Sequence, residues 1–390
     1  KKRKPKSLTL PTSVVLAVPA GAPVLVGGPP TISMMALGMK AAMAGLGKAF
    51  KKLRKLQKAS RRMKGVSKKV HAAAQKAMTK PGVPPSVQNK VHRAVCTVTG
   101  HPVDVATGKM YTEAVDFELP GPLPLVWERV WYSCSVYEGP LGHGWHHAYD
   151  LAILEEDGAV ALRMADGRAV AFPTPAPGEI SENTLEGLTL RRDAEGYAVD
   201  DSAGRTFRFS RVGRRAEHSL ITIADPQGTE VRFHYDAAGR LSHAMDGYGR
   251  PIVFVHDQLG RITEIHAPRP DAPTLAQVVV RYAYDGQGEL VGATDALGQA
   301  FQYDYQNRLL VRETDQRGYA FHFRYDGPTT GARCTATWGE DGLLAVALTY
   351  GPDRTAVRFD DGGQWIYHHD ERGLATHPTD PHGGVRPQKV

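Results

Sequence analysis

Tyrosine and aspartate recur together through the C-terminal half of the chain, and paired carboxylates are the groups that glycoside hydrolysis uses. The clearest copy is YDAAGRL at 235–241. A catalytic pair occurs once in a chain, however, whereas this phrase returns at regular steps. We therefore interpret the aspartates as turn residues. An Asp side chain can accept hydrogen bonds from backbone N–H groups ahead of it, and Gly or Asn tolerates the positive φ that closes a hairpin.

The clear copies share an aromatic residue or His, then Asp, then Gly or Asn three residues later. They are Tyr235, Asp236, Gly239 and Arg240; Asp257, Gly260 and Arg261; Tyr284, Asp285 and Gly288; and Tyr303 and Asp304, with worn copies at Tyr325 and Asp326 and at His369 and Asp370. The steps between these aspartates are 21, 28, 19, 22 and 44 residues. Self-similarity near 20 residues indicates one supersecondary unit repeated many times.

Each unit is predicted to be a β-hairpin between two Asp/Gly turns. The residues before the turns, such as RFHY at 232–235, alternate between polar and apolar types, which is the period of a half-buried strand. A second set of turns is predicted at 225–228, 246–249, 295–298 and 315–318. The fold class expected is mainly β, with tandem antiparallel hairpins in a long sheet that must curl.

Other chemistry is weakly supported by the sequence, and no catalytic residue, cofactor or metal is predicted. His143, His146 and His147 lie close together, but adjacent histidines on a strand point to opposite faces, so packing around Trp145 is favoured over a metal site. Cys96, Cys134 and Cys334 fit no disulfide framework and are expected to be free thiols.

Charge divides the chain sharply. Residues 1–103 contain 21 Lys and Arg and no acid, while residues 104–390 contain the other 27 and all 41 acids. The two parts therefore carry +21 and −14, which sum to the net +7. A basic segment of this kind is expected to bind an acidic or anionic surface.

Residues 33–79 are predicted to be helical, and they form most of a basic arm at 33–94. An apolar stripe for docking recurs at helical spacing, at Met39, Met43, Leu46, Phe50 and Leu53. Three interpretations remain open: packing on the sheet or a partner, contact with a membrane surface, and nucleic-acid binding through the Lys and Arg run.

The repeats resemble the tyrosine–aspartate (YD) repeats of the Rhs family of bacterial polymorphic toxins. GHPVDVATG at 100–108, DFELPGPLPL at 116–125 and GHGW at 142–145 resemble the domain that opens an Rhs shell. The resemblance implies four parts: an apolar segment at 1–32 similar to the end of a PAAR-type spike tip, the arm at 33–94, a shell-opening domain at 95–175 and a YD-repeat shell at 176–390.

The same resemblance implies a structural role, as part of a hollow β-shell or barrel that encloses and delivers a C-terminal toxin. The partners implied are the enclosed toxin, a VgrG-like spike protein of a type VI secretion system, an effector chaperone, and an immunity protein that binds the toxin elsewhere. The protein would lie in the producer cytoplasm before export into a target cell. Because the chain starts without Met and stops within a repeat-like pattern, we interpret it as a fragment.

Two alternatives from other classes are kept. One is an adhesion or carbohydrate-binding module that uses exposed aromatic residues of the sheet. The other is a self-cleaving shell that uses aspartates, for which DPHG at 380–383 is a superficial match; DPQG at 225–228 has the same pattern inside a repeat, so a turn is the simpler interpretation.

Overall fold

The computed structural model describes residues 103–156, 159–184, 186–269, 272, 274–369, 375–379 and 384. The apolar segment 1–32, the arm with its docking stripe, and the motif at 380–383 lie outside the described residues. Within the described ranges the structure is almost wholly β, and its helical segment is a single 3-10 turn at Glu340–Gly342. No helix in this part of the chain is long and apolar enough to cross a membrane.

Five strands form the first structural unit, which we call the N-terminal subdomain (residues 103–151). Its strands are β1 Tyr111–Leu119, β2 Leu125–Tyr132, β3 Glu138–Gly139, β4 Gly142–His143 and β5 Trp145–His147. Strands β1, β2 and β5 form one small antiparallel sheet, and β3 and β4 form a second.

The remaining strands form one long antiparallel sheet, the repeat sheet. They are β6 Ala152–Glu156, β7 Ala159–Arg163, β8 Ala169–Pro173, β9 Ile180–Asn183, β10 Leu188–Arg192, β11 Tyr197–Asp201, β12 Thr206–Arg211, β13 His218–Ala224, β14 Glu230–Tyr235, β15 Leu241–Met245, β16 Pro251–His256, β17 Ile262–Pro268, β18 Ala276–Tyr284, β19 Leu290–Asp295, β20 Ala300–Gln306, β21 Leu309–Thr314, β22 Ala320–Tyr325, β23 Cys334–Gly339, β24 Val346–Tyr350, β25 Arg354–Phe359, β26 Gln364–His369 and β27 Ala375–Thr379.

Successive strands of the repeat sheet are neighbours, so its contacts are mostly local hairpins. Strand β13 is the exception. The C-terminal residues of β13 pair with β14, whereas its first two residues, His218 and Ser219, pair with the distant strand β6. The sheet therefore folds back on itself at this end. Strands β6 to β8 precede residue 176 and yet belong to the same sheet as the later repeats.

Alternation of side chains along each strand gives the repeat sheet one apolar face. In β14, Val231 and Phe233 are buried while Arg232 and His234 are exposed. Strand β16 repeats the pattern with Ile252 and Phe254. Because successive side chains of a strand point to opposite faces, this binary pattern fixes which face is covered. We call the two faces the buried face and the open face.

A β-bulge recurs on the returning strand of the hairpins that carry the Tyr-Asp phrase. Its register shift falls between His234 and Tyr235 in one hairpin and between Val255 and His256 in the next, and the same shift is found in the β18–β19, β20–β21 and β22–β23 pairs. A bulge bends its strand and increases the right-handed twist. Repeated bulges at one position therefore curl the sheet in a consistent direction, as the sequence predicts.

The mainly β fold with tandem antiparallel hairpins is thus confirmed.

Candidate functional site: the repeat turns and the buried face

Eight turns of the repeat sheet share one geometry built around an aspartate. At Asp236, the Gly239 N–H donates to the Asp236 carbonyl, and the Asp236 N–H donates to the Arg240 carbonyl, at 2.9 Å each. Asp236 Oδ1 also accepts the N–H groups of Ala238 and Arg240, at 2.9 Å. This is a three-residue hairpin loop closed by a residue of positive φ. The eight turns begin at Asp201, Asp225, Asp236, Asp246, Asp257, Asp285, Asp295 and Asp315.

Arginine strengthens several of these turns. Arg240 Nε donates to Asp236 Oδ2 at 2.7 Å, and Arg261 Nε donates to Asp257 Oδ2 at 2.7 Å. Burial acts to raise the pKa of Asp236, but the hydrogen bonds from Arg240 outweigh it, and the pKa falls below its ordinary value. The Arg of the repeat phrase therefore completes the turn, because it holds the carboxylate that accepts the backbone N–H groups.

The repeat tyrosines link each hairpin to the one before it. The hydroxyl of Tyr235 donates to the Leu220 carbonyl at 2.7 Å, and that of Tyr325 donates to the Leu310 carbonyl at 3.0 Å. Equivalent bonds run from Tyr284, Tyr305 and Tyr350 to the carbonyls of Ile262, Leu290 and Cys334. A buried Tyr hydroxyl needs a partner, and here it finds a backbone carbonyl of the preceding hairpin. The tyrosines thus connect neighbouring units as well as filling the core.

The prediction that a repeat turn begins at Tyr303 and Asp304 is wrong. Asp304 lies inside β20, where it is exposed and pairs with Arg312 at 3.1 Å, instead of starting a turn. The turn consists of Asn307 and Arg308, with φ of 54° and 63°. Two consecutive residues of positive φ make the tight type I′ hairpin, so the loop is shorter and the repeat tyrosine is Tyr305.

Tyr303 instead contributes to a buried polar network around Arg129, which the sequence analysis did not identify. Arg129 Nη1 donates to the Tyr303 hydroxyl at 2.6 Å, and Arg129 Nε donates to the Asp116 carboxylate at 3.0 Å. The Tyr282 hydroxyl donates to the same carboxylate and accepts the indole N–H of Trp127 at 2.8 Å. The network joins β1 and β2 of the N-terminal subdomain to β18 and β20 of the repeat sheet.

The opposite charges of Arg129 and Asp116 stabilise this buried network. Arg129 is 0% exposed, and its guanidinium lies 4.9 Å from the ring centroid of Trp145. Burial acts to lower the pKa of Arg129, but the Asp116 carboxylate outweighs it, so the pKa is raised and the group stays charged. A buried cation without a partner is very costly. Arg129 and Asp116 must therefore enter the interior together.

Aromatic side chains on β2 and β5 fill the rest of this interface. Trp127 stacks on His147 and contacts Phe254, with ring centroids 4.5 and 5.0 Å apart. The indole N–H of Trp145 donates to the hydroxyl of Tyr305 at 2.9 Å. The N-terminal subdomain thus covers the buried face of the repeat sheet with a close-packed aromatic layer. The sequence signal for it was the nearly continuous apolar run LVWERVWY at 125–132, which carries Glu128 and Arg129 among aromatic and aliphatic residues.

The three clustered histidines point to separate partners. His143 Nδ1 lies 2.9 Å from Glu138 Oε1, His147 stacks on Trp127, and His146 Nε2 lies 3.5 Å from Ser135 Oγ. Among the described residues, no group of three or more His, Cys, Asp or Glu side chains is arranged to hold a metal. Cys134 and Cys334 are both free thiols.

Ser135, His146 and Asp150 lie in series, an arrangement that resembles a hydrolytic triad. His146 Nδ1 lies 3.5 Å from Asp150 Oδ2, the same distance as His146 Nε2 from Ser135 Oγ. All three are at most 5% exposed, and the ring of Tyr137 stacks on His146 at 4.5 Å. Arg163 donates to Asp150 Oδ1 at 3.3 Å. These three side chains form a buried polar network, and a substrate has no access to Ser135.

A cleft of about 850 Å³ lies beside this network, between the N-terminal subdomain and the repeat turns. Its lining includes Asp150, Glu217 and Arg215, together with Leu241 and His256 from the sheet. The charged groups are mostly paired with one another, as when Glu217 Oε1 accepts from Arg215 Nη1 at 2.8 Å. The cleft is therefore a polar boundary between the two units, lined by four acidic residues and two arginines.

Comparison with known protein families gives two matches. Residues 100–172 match a domain of unknown function, DUF6531, and residues 216–251 match the RHS repeat. The first match covers the N-terminal subdomain together with β6 to β8. The second contains the turns at Asp225, Asp236 and Asp246.

Several curated toxins are similar in sequence. The chain is 28% identical over 242 residues to double-stranded DNA deaminase toxin A of Burkholderia cenocepacia, which covers 59% of this chain and 16% of that protein. It is 28% identical over 266 residues to the probable deoxyribonuclease RhsA of Dickeya dadantii (66% and 18%), and 26% identical over 277 residues to toxin protein Tse5 of Pseudomonas aeruginosa (60% and 21%). The chain thus spans about a fifth or less of the length of these relatives.

Among solved structures, the Tc holotoxin pore of Photorhabdus luminescens matches with a TM-score of 0.33 and 14% identity, covering 72% of this chain and 17% of that one. A TcdB2–TccC3 structure matches with a TM-score of 0.25 and 10% identity, covering 75% and 19%. The family assignment rests on the sequence matches together with the turn and tyrosine geometry described above. Residues 216–251 thus carry the RHS repeat, and the chain is similar in sequence to Rhs toxins.

Proposed function

We propose that this chain is part of the wall of a hollow β-shell, which encloses the toxin of a secreted Rhs effector. The observation that supports this most directly is the continuity of the repeat sheet from β6 to β27, with each strand paired to its neighbours. A wall that confines another polypeptide has to be free of gaps. Antiparallel hairpins joined by tyrosine hydrogen bonds provide such a surface and can be extended by adding units.

In this proposal the N-terminal subdomain closes the shell at one end. It covers the buried face through the aromatic layer and the Arg129–Asp116 pair, both of which resist solvent entry. The bulged hairpins give the sheet the curvature that a closed surface needs.

The enclosed cargo is inferred from the relatives. Their names describe a DNA deaminase, deoxyribonucleases and a toxin, and this chain matches less than a quarter of each of them. We propose that the toxic activity belongs to a part of the full-length effector outside this chain. The residues described here then have no catalytic role, because their recurrent aspartates accept hydrogen bonds within turns.

The partners follow from the same proposal. They are the enclosed toxin, a VgrG-like spike protein, an effector chaperone for the arm, and an immunity protein that binds the toxin and not the shell. The effector would reside in the producer cytoplasm and then enter a target cell through a type VI secretion system. Contact of the basic arm with a membrane surface remains a further proposal.

The test is limited proteolysis of the full-length effector with an epitope tag on its toxin. We expect the toxin to resist protease in the native effector and to be degraded quickly in a variant that weakens the wall, Arg129→Met. An exposed substitution on the open face, Arg232→Met, serves as the control and should keep the toxin protected. If the toxin of the native effector is degraded as quickly as that of the Arg129→Met variant, while the shell itself stays intact, enclosure is contradicted.

A further inference from the structure

The open face of the β14–β15 hairpin carries a histidine pair that takes part neither in a turn nor in the packing of the buried face. His234 and His243 are directly opposite each other on adjacent strands. Their imidazole rings lie face to face, with centroids 4.3 Å apart and planes at 8°. His234 is exposed and His243 is half-buried. Both rings are therefore open to solvent on the same side of the sheet.

The bulge of this hairpin adds a third group. The register passes from His234 paired with His243 to Tyr235 paired with Leu241, so Ser242 is the extra residue. A bulge re-aims the side chains beside it. The Ser242 hydroxyl contacts two groups of the pair, the backbone carbonyl of His234 at 3.0 Å and Nδ1 of His243 at 3.1 Å.

These two contacts determine the tautomer of His243. A serine hydroxyl has one proton to donate, and a carbonyl oxygen can only accept. The Ser242 proton is therefore given to the His234 carbonyl, and the contact with His243 has to use a proton on Nδ1. A neutral imidazole with its proton on Nδ1 presents a free lone pair at Nε2, which is the form that binds metals.

The charged side chains beside the pair on β14 are already engaged with each other. The nearest charged side chains on the same strand, Arg232 and Glu230, are paired with each other at 2.8 Å.

We propose that His234 and His243 form a binding site for a divalent transition-metal ion, with Ser242 as the residue that orients one ligand. With His243 held by Ser242, the exposed ring of His234 turns out of the stack and brings a second imidazole nitrogen to the same ion. Water completes the coordination sphere, because the described residues provide no cluster of three ligands here. Imidazole ligands suit Cu²⁺, Ni²⁺ and Zn²⁺, and Cu²⁺ is bound most tightly in this series.

Four other Tyr-Asp hairpins have different residues at these positions. The positions that correspond to the histidine pair are Val255 and Glu264, Ala283 and Gly292, Asp304 and Arg312, and Arg324 and Ala336. The β26–β27 hairpin of the worn copy also places two histidines opposite each other, His368 and His377, so the metal measurements have to separate the two hairpins.

The experiment is calorimetric titration of the untagged chain with Cu²⁺ and, separately, with Zn²⁺, together with electron paramagnetic resonance of the Cu²⁺ complex. The chain contains 16 histidines, so each variant is compared with the parent. His234→Ala and His243→Ala should each abolish the same high-affinity site. The spectrum of the parent should show two nitrogen ligands, and each variant should lose this signal.

Ser242→Ala keeps both ligands but removes the group that sets the tautomer, so the affinity should fall roughly tenfold or more. The matched control is His322→Ala, because His322 also stacks on an aromatic ring across strands, Trp338 at 5.4 Å. This control should bind metal as the parent does. The proposal is overturned if His234→Ala retains the high-affinity site, or if His322→Ala weakens it as much as the two ligand variants do. An unchanged affinity in Ser242→Ala would refute the orienting role of the serine.

Discussion

At the scale of single residues, the repeat phrase separates into three physical tasks. Asp236 accepts backbone N–H groups, Gly239 adopts a φ of 83°, and Tyr235 reaches the preceding hairpin. Each task needs a particular chemical type, so substitutions at each position should fail for a different reason. Arg129 adds a fourth task, the pairing of a buried charge across two structural units.

The positive φ of the turn glycines can be tested where no neighbour interferes. At Gly239 an added Cβ would lie 2.9 Å from Arg215 Cγ, so crowding accompanies the backbone cost. Gly298 has a φ of 78° and nothing within 4 Å of an added Cβ. Gly298→Val should therefore lower the free energy of unfolding by about 1–2 kcal/mol from the backbone alone, and Gly298→Asn by less. Equal melting temperatures for the two variants would contradict this reading of the turn.

Removal of Arg129 should be among the most damaging single changes. Arg129→Met leaves the Asp116 carboxylate buried without its cation, and the expected loss of unfolding free energy is roughly 3–5 kcal/mol. The double variant Arg129→Met with Asp116→Asn removes both charges and should recover part of that loss. Urea denaturation of the parent, both single variants and the double variant measures the coupling. Strictly additive losses would show that the two side chains do not depend on each other.

At the scale of elements, the hairpin is the unit that repeats, although two kinds of loop close it. The Asp turns enclose three residues, whereas the β20–β21 loop is a two-residue turn at Asn307 and Arg308. Both kinds supply positive φ at the closing position. The element therefore tolerates different loop lengths as long as the tyrosine keeps its place relative to the bulge.

This difference predicts unequal roles for two aspartates that look alike in sequence. Asp236→Ala removes the acceptor of two backbone N–H groups and should cost about 1–2 kcal/mol. Asp304→Ala removes an exposed pair with Arg312 and should stay within about 0.5 kcal/mol of the parent. Thermal unfolding of both variants distinguishes the cases. A larger loss for Asp304→Ala would restore the turn assignment that the structure corrects.

At the scale of the whole molecule, the interface between the N-terminal subdomain and the repeat sheet decides stability, and it contains titrating carboxyl groups. Glu289 takes the place of the usual Arg after the Asp285 turn and is 1% exposed, and both of its carboxylate oxygens lack a hydrogen-bond partner. Burial, with Asp285 and Glu138 nearby, raises the pKa of Glu289 to about 7, against the opposing effect of Arg308.

The pH dependence follows from this raised pKa. Below about pH 4.5 Glu289 is protonated in both the folded and the unfolded chain, and between about 4.5 and 7 the folded chain holds the proton more strongly. The stability that protonated Glu289 gives the folded chain therefore declines as the pH rises above about 4.5 and is lost as the pH passes about 7. Glu289→Gln should be more stable than the parent at pH 8, with a smaller advantage at pH 5.

The comparison has to be between variants, because His147 acts in the opposite direction. Burial lowers the pKa of His147 to about 4, which costs stability as the pH falls below 6.5. This contribution is common to the parent and to Glu289→Gln and cancels in the difference. Glu230→Gln, which alters a surface carboxylate, is the control and should show no such trend. A difference between the parent and Glu289→Gln that does not change from pH 5 to pH 8 would refute the prediction.

The basic arm lies outside the described residues, and its docking stays a prediction. We expect the apolar stripe to provide most of the affinity, since exposed charge pairs are weak and screened by salt. Replacement of Leu46, Phe50 and Leu53 by Ser should release the arm to protease more than replacement of three lysines. Limited proteolysis at low and physiological salt provides the measurement, and greater release by the lysine set at physiological salt would reverse the conclusion.

The repeat, the antiparallel hairpins and the chemistry of most turns could be predicted from the order of the residues. These features depend on contacts between residues within about five positions, such as Asp236 with Gly239 and Arg240, so spacing along the chain is enough to identify them. Hydrophobic alternation likewise fixed which side chains face inward.

The tyrosine that bonds to each preceding hairpin, and the charged groups that are buried, could be identified only from the folded structure. Tyr303 and Tyr305 share one face of a strand, and only the positions of Arg129 and Leu290 assign them different partners. Arg129 contacts a residue 174 positions away, so no local pattern contains that pairing. The histidine pair on the open face is local to one hairpin, but it depends on the bulge register that brings Ser242 against the His234 carbonyl and His243. Long-range packing determines the contacts of Arg129, and a single sequence carries no direct record of them.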